Sequence, residues 1–85
     1  MLKVVDLYAN WCSPCKVQKP IIEEVANLYE GQVEFVEIDI VVDENKYVNV
    51  TSIPTIIFEK DEVILEQAVG LQSRDQLIAK IEQYK

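Results

Sequence analysis

The sequence predicts an α/β domain with a four-stranded mixed sheet and helices on both faces, in the order βαβαββα. Two apolar, β-prone runs, Lys3 to Ala9 and Val33 to Ile38, flank a segment of helical periodicity, the pattern of a right-handed βαβ unit with parallel strands. Two further runs, Thr55 to Glu59 and Val63 to Val69, are separated only by Lys60, Asp61 and Glu62. So short a connection requires an antiparallel hairpin. The 85 residues, of which 49% are hydrophobic, have room for one domain over 1–85, with a modest core.

The first strand carries Val4, Val5, Leu7 and Tyr8 and is apolar almost throughout, as a central strand buried on both faces would be. Asp6 interrupts it. The helix that follows has Pro14 in its first turn and repeats Val17, Ile21, Val25 and Leu28 at three- and four-residue spacing on the way to Gly31. That stripe is assigned to the core, with Pro20 expected to bend the axis. Beyond the second strand, Asp43 is a candidate N-cap for a short helix carrying Tyr47 and Val48. Gly70 ends the sheet, and Ser73 with Gln76 three residues on forms a capping box for a closing helix whose apolar face is Leu77, Ile78, Ile81 and Tyr84.

A net charge of −7 argues against nucleic acid and anionic membrane surfaces, which reward basic patches. No stretch approaches the roughly 20 apolar residues of a membrane span. Met1 to Asp6 has neither the basic segment nor the cleavage site of a secretory leader. Only two cysteines are present, as suits a reducing compartment. A cytoplasmic protein is therefore expected.

The chemistry centres on Trp11-Cys12-Ser13-Pro14-Cys15, between the first strand and the first helix. There Cys12 lies at or near a helix N-terminus, where unpaired N–H groups and the helix dipole favour negative charge. Such sites lower a thiol pKa from ~8.5 to somewhere in the range ~3.5–7.5, so Cys12 is a candidate nucleophile for disulfide exchange. Cys15, one turn later, is placed to resolve the exchange. The alternatives are an inert disulfide or half of a zinc site. Zinc sites want four ligands, and with no His and no third Cys only a dimer sharing two pairs could supply them; no metal is expected.

Together with Asp6 six residues before Cys12, Lys16, Pro20, Ile53-Pro54-Thr55 and Val69-Gly70, this stretch resembles the thioredoxin family over nearly the whole chain. The resemblance implies a thioredoxin-like fold that lacks the family's N-terminal strand and helix. It implies a protein-disulfide reductase with Cys12 as attacking thiol, Cys15 as buried resolving thiol and Asp6 as proton acceptor beneath Cys15. Pro54 would be a cis-proline facing the pair, with Ile53 free to take an extended client as an added strand. Trp11, Ser13, Pro14 and Gly70 would complete the client surface. No cofactor is implied beyond the Cys12–Cys15 redox disulfide. The implied partners are disulfide-containing client proteins and a thioredoxin reductase or other electron donor, and a monomer is expected.

Three positions depart from the family's pattern. Ser13 stands where glycine is usual between the cysteines, Asp61 where the hairpin usually has glycine, and Glu37 where a lysine usually lies near the buried aspartate. A carboxylate at 37 would raise the pKa of Asp6 where a lysine would lower it. The other function classes are a glutathione-dependent, glutaredoxin-like reductase, suggested by the short core, and a redox-silent thioredoxin-like docking module.

Overall fold

The computed structural model describes residues 1–47 and 49–85. In chain order the elements are β1 (Leu2–Tyr8), α1 (Ser13–Leu28), β2 (Glu34–Asp39), β3 (Thr55–Lys60), β4 (Val63–Val69) and α2 (Arg74–Tyr84). They form one four-stranded mixed sheet in the order β2-β1-β3-β4. Strand β1 is central, parallel to β2 and antiparallel to β3. The β3–β4 hairpin is antiparallel with a bulge at Phe58 and Glu59. Its tight turn holds Asp61 at φ 51° and Glu62 at φ 67°, so two non-glycine residues accept the left-handed conformation that hairpin turns require.

The βα connection and the hairpin follow the sequence expectation, but the helix count and placement do not. Both helices lie on one face. Leu2 and Val4 of β1 and Ile56 and Phe58 of β3 share a core with Ile22 and Val25 of α1 and Leu77 and Ile81 of α2. Val5, Leu7 and Ile57, on the alternate face, pack instead beneath Tyr47, with Val36, Ile38 and Val50 alongside. The expected short helix after β2 is absent among the described residues, so the order is βαβββα; Val48 of that expectation lies outside them.

Local side-chain chemistry explains the loss. The Asp39 N–H donates to Asp43 Oδ2 at 2.9 Å, the Val41 N–H to Asp39 Oδ1 at 2.9 Å, and the Tyr47 N–H to Asn45 Oδ1 at 2.8 Å. Asp43, the expected N-cap, thus spends its carboxylate on an amide upstream of it, and the Tyr47 N–H that a helix would have used goes to Asn45 instead. Tyr47 nevertheless reaches the core, and its hydroxyl donates to the buried Glu59 carboxylate at 2.7 Å. Lys46 also donates to Glu59, at 2.9 Å, and Lys3 lies 3.9 Å away. Burial alone would raise the Glu59 pKa, but these donors and cations outweigh it and hold it below the usual range.

The α1 stripe is rotated from the expected one. Val17 and Leu28 are 52% and 50% exposed, whereas Cys15, Gln18, Ile22 and Val25 face the sheet. An α-helix advances about 100° per residue, so exchanging Ile21 for Ile22 as the core position turns the buried face by one residue. The signal was hidden because Gln18, which completes the true stripe, is polar. The helix runs on through Pro20. At the other end, the capping box of α2 forms as expected, with Ser73 Oγ accepting from the Gln76 N–H at 3.1 Å and Gln76 Oε1 from the Ser73 N–H at 2.8 Å.

Candidate active site

The cysteines sit at the C-terminal end of the central strand, where α/β sheets commonly place their chemistry. Cys12 is the N-cap of α1, in extended conformation, and its Sγ accepts from the Cys15 N–H at 3.3 Å. Pro14 occupies the first turn, whose missing N–H would have had no helical partner in any case. No acidic side chain lies in that turn, so nothing there opposes the preference of the helix start for a negative sulfur. Cys12 and Cys15 are joined in a disulfide with their Cα atoms 5.2 Å apart.

The two sulfur-bearing residues are enclosed to nearly the same degree, 5% and 4% exposed, so the contrast between an open Cys12 and a buried Cys15 is absent from this disulfide form. Ala9 completes a small cluster with them, and Tyr8 and Ile53 pack against it. Trp11, by contrast, is 71% exposed. Ser13 and Pro14 are exposed beside it, and Lys16 is solvated. The Ile53–Pro54 peptide is cis. Gly70, at φ 91°, donates its N–H to the Pro54 carbonyl at 2.8 Å, tying the end of β4 to the proline loop. The sequence motifs thus converge: Trp11 to Cys15, Ile53, Pro54 and Gly70 meet at one end of the sheet.

Asp6 lies on the helix-covered face of β1, two residues beyond Val4, and is almost wholly buried. Its Oδ1 has no hydrogen-bond partner among the described residues. Across the parallel register it stands opposite Glu37. Burial is the largest influence on Asp6 and the Glu37 charge adds to it, while Lys19 opposes both; the carboxyl is pushed from 3.8 up to about 6. The direction expected from Glu37 is thus the one found. Lys19 Nζ lies 3.9 Å from Glu37 Oε2, so an exposed lysine of α1 bears on the site's charge.

Sequence reasoning overlooked Tyr8, Lys19 and Gln18. Tyr8 passed as an ordinary strand residue, and Lys19 is recognisable only once the helix is laid over β2. Gln18 could have been found: 15, 18, 22 and 25 form one helical face through the resolving cysteine. No group of acidic, Cys or His side chains suited to a metal ion occurs among the described residues.

Comparison with known proteins agrees with this geometry. The thioredoxin family model matches residues 1–83. Thioredoxin C-2 of Corynebacterium nephridii is 39% identical over 82 residues, covering 94% of this chain and 76% of that protein. Thioredoxin of Staphylococcus epidermidis is 39% identical over 88 aligned positions, covering 98% of this chain and 82% of the relative. Among solved structures, thioredoxin-2, a component of the malaria parasite protein secretion machinery, superposes with a TM-score of 0.91 at 26% identity, covering 99% of this chain and 84% of that one. With a bonded cysteine pair at a helix start and matches that run nearly end to end, the chain belongs to the thioredoxin family and is a thiol–disulfide oxidoreductase of the thioredoxin type.

Proposed function

We propose that this chain reduces disulfides in client proteins through Cys12 and Cys15, drawing electrons from a thioredoxin reductase, as a cytoplasmic monomer folded as one domain over 1–85. The observation that carries the reading is Cys12 at the N-cap of α1, its sulfur within reach of the Cys15 amide and already bonded to Cys15.

In the reduced protein, the Cys12 thiolate attacks one sulfur of a client disulfide. A Cys12–client mixed disulfide forms, the client S–S bond breaks, and the departing client thiolate takes a proton. Cys15 then gives its proton to Asp6, and its thiolate attacks Cys12 Sγ. The Cys12–Cys15 bond closes as the second client thiolate leaves and is protonated. Two electrons pass from the protein dithiol to the client, and the reductase later returns two electrons and two protons. An acceptor with a pKa of about 6 is ionised at neutral pH, yet closer to a thiol's range than an ordinary aspartate, which improves the proton-transfer match. Trp11, Ser13 and Pro14 flank the attacking sulfur, while the Ile53 backbone receives an extended client segment by strand-like pairing, with Pro54 and Gly70 beside it.

The test is a trap. Cys15→Ser, incubated with cell lysate, should retain clients on Cys12 as mixed disulfides that dithiothreitol releases, and Cys12→Ser should retain none. An empty Cys15→Ser trap would favour the docking-module class. Re-reduction of the oxidised protein by NADPH with a thioredoxin reductase, but not by glutathione, is the expected donor result.

A further inference from the structure

Gln18 is fully buried in the middle of α1, and its amide is satisfied in an unusual way. Both of its hydrogen bonds go to the backbone of one residue 54 positions along the chain. Gln18 Nε2 donates to the Gln72 carbonyl at 3.0 Å, and Gln18 Oε1 accepts from the Gln72 N–H at 2.7 Å. The side chain thus pairs with an irregular loop as a neighbouring strand would. The Gln72 side chain turns back and donates from Nε2 to the Gly70 carbonyl at 3.1 Å, and the Gly70 N–H donates to the Pro54 carbonyl at 2.8 Å. An unbroken path of hydrogen bonds therefore runs from the helix bearing Cys15, through the β4–α2 connection, to the cis-proline loop.

We infer that Gln18 is a positioning residue for client recognition: it clamps the cysteine helix to the 70–72 loop and so holds the two walls of the client groove at a fixed separation. This rests on the reading that clients pair with Ile53 and dock against Pro54 and Gly70. The physical argument is one of satisfaction. An apolar residue at 18 would pack as well against Ile22 and Val25, but it would strand the Gln72 N–H and C=O. A loop with unmatched polar groups shifts or opens to water. Both polar atoms of the Gln18 amide are spent on Gln72, so its effect belongs in client affinity rather than in the exchange step.

The experiment measures insulin reduction with dithiothreitol as the recharging thiol, together with amide hydrogen exchange. Gln18→Met, similar in volume and without amide hydrogen bonds, is expected to raise the KM for insulin about tenfold, the equivalent of losing one buried hydrogen-bonded pairing. Its kcat should stay within about twofold, and exchange at the Gly70 and Gln72 amides should accelerate. Should Gln18→Met prove unfolded, Gln72→Ala reports on the same path. It leaves the Gln18 pairing in place and removes only the link to Gly70, with an expected rise in KM of about threefold. In the double variant the KM should not exceed that of Gln18→Met alone, because both changes cut one path. An unchanged KM, an equal fall in kcat, or additive effects would each overturn the clamp. Failure of the wild type to reduce insulin would instead overturn the disulfide-reductase reading on which the clamp depends.

Discussion

Replacing Asp6 with asparagine should stabilise the oxidised protein, and by an amount that depends on pH. The carboxyl is raised from 3.8 to about 6 in the folded state, so folding favours its protonated form. Below pH 3.8 both folded and unfolded chains carry the proton and Asp6 costs nothing. As pH climbs through the folded pKa the buried group must ionise, and stability falls. One pKa unit corresponds to about 1.4 kcal/mol, so the penalty reaches about 3 kcal/mol above pH 7. With Asp6 only 2% exposed, solvent screening does not dilute it. Asparagine has no charge to bury, so Asp6→Asn should gain on wild type as pH rises, by about 2–3 kcal/mol between pH 4 and pH 8. Urea unfolding of both disulfide forms, followed by far-UV circular dichroism, measures it. The titration of Glu59 is common to both proteins and drops out of the difference, and any fixed cost of an amide at position 6 offsets the difference by a constant without altering its change with pH. A difference that stays flat across this pH range would refute the argument. A penalty of this size is a large share of the 5–15 kcal/mol that holds a typical domain together, so stability alone does not account for a carboxyl there.

Three further outcomes follow from the charges and caps. Glu37→Gln removes the like charge facing Asp6 and should lower the Asp6 pKa, moving the fall in stability to lower pH, whereas Lys19→Gln should move it higher; NMR titration of Asp6 carboxyl checks both. Tyr47→Phe deletes the 2.7 Å hydrogen bond to Glu59 and should cost about 1–3 kcal/mol in urea unfolding. The Tyr47–Glu59 contribution should fade on acidification, because the Glu59 pKa is depressed and its stabilisation is lost as pH drops through the folded value. Ser73→Ala breaks the capping box of α2 and should cost about 1 kcal/mol, read as a lower urea midpoint with an unchanged slope.

The hairpin and the βαβ unit were legible because each is a local pattern: Val63 to Val69 pairs with Thr55 to Lys60 across a connection too short for any other geometry. The Ser73 and Gln76 box was legible for the same reason. The short helix expected at Asp43 failed because Asp39, Asp43 and Asn45 spend their side chains on nearby backbone amides, a competition that composition does not rank. The Val17 and Leu28 stripe failed because hydrophobic spacing counts apolar residues only, and a buried glutamine breaks the count.

By itself the sequence marked the candidate chemistry: residue type and local spacing singled out a Cys-x-x-Cys at a strand-to-helix junction, and the family resemblance gave meaning to an aspartate inside an apolar strand and to Ile-Pro-Thr ahead of a hairpin. The fold alone decided what those residues face. It put both helices on one side of the sheet, set Glu37 opposite Asp6 through strand register, brought Lys19 to the same carboxylates and joined Gln18 to a loop far along the chain. Charge interactions and buried hydrogen bonds depend on distance in space, and that distance is fixed by packing between elements that no single stretch of sequence contains.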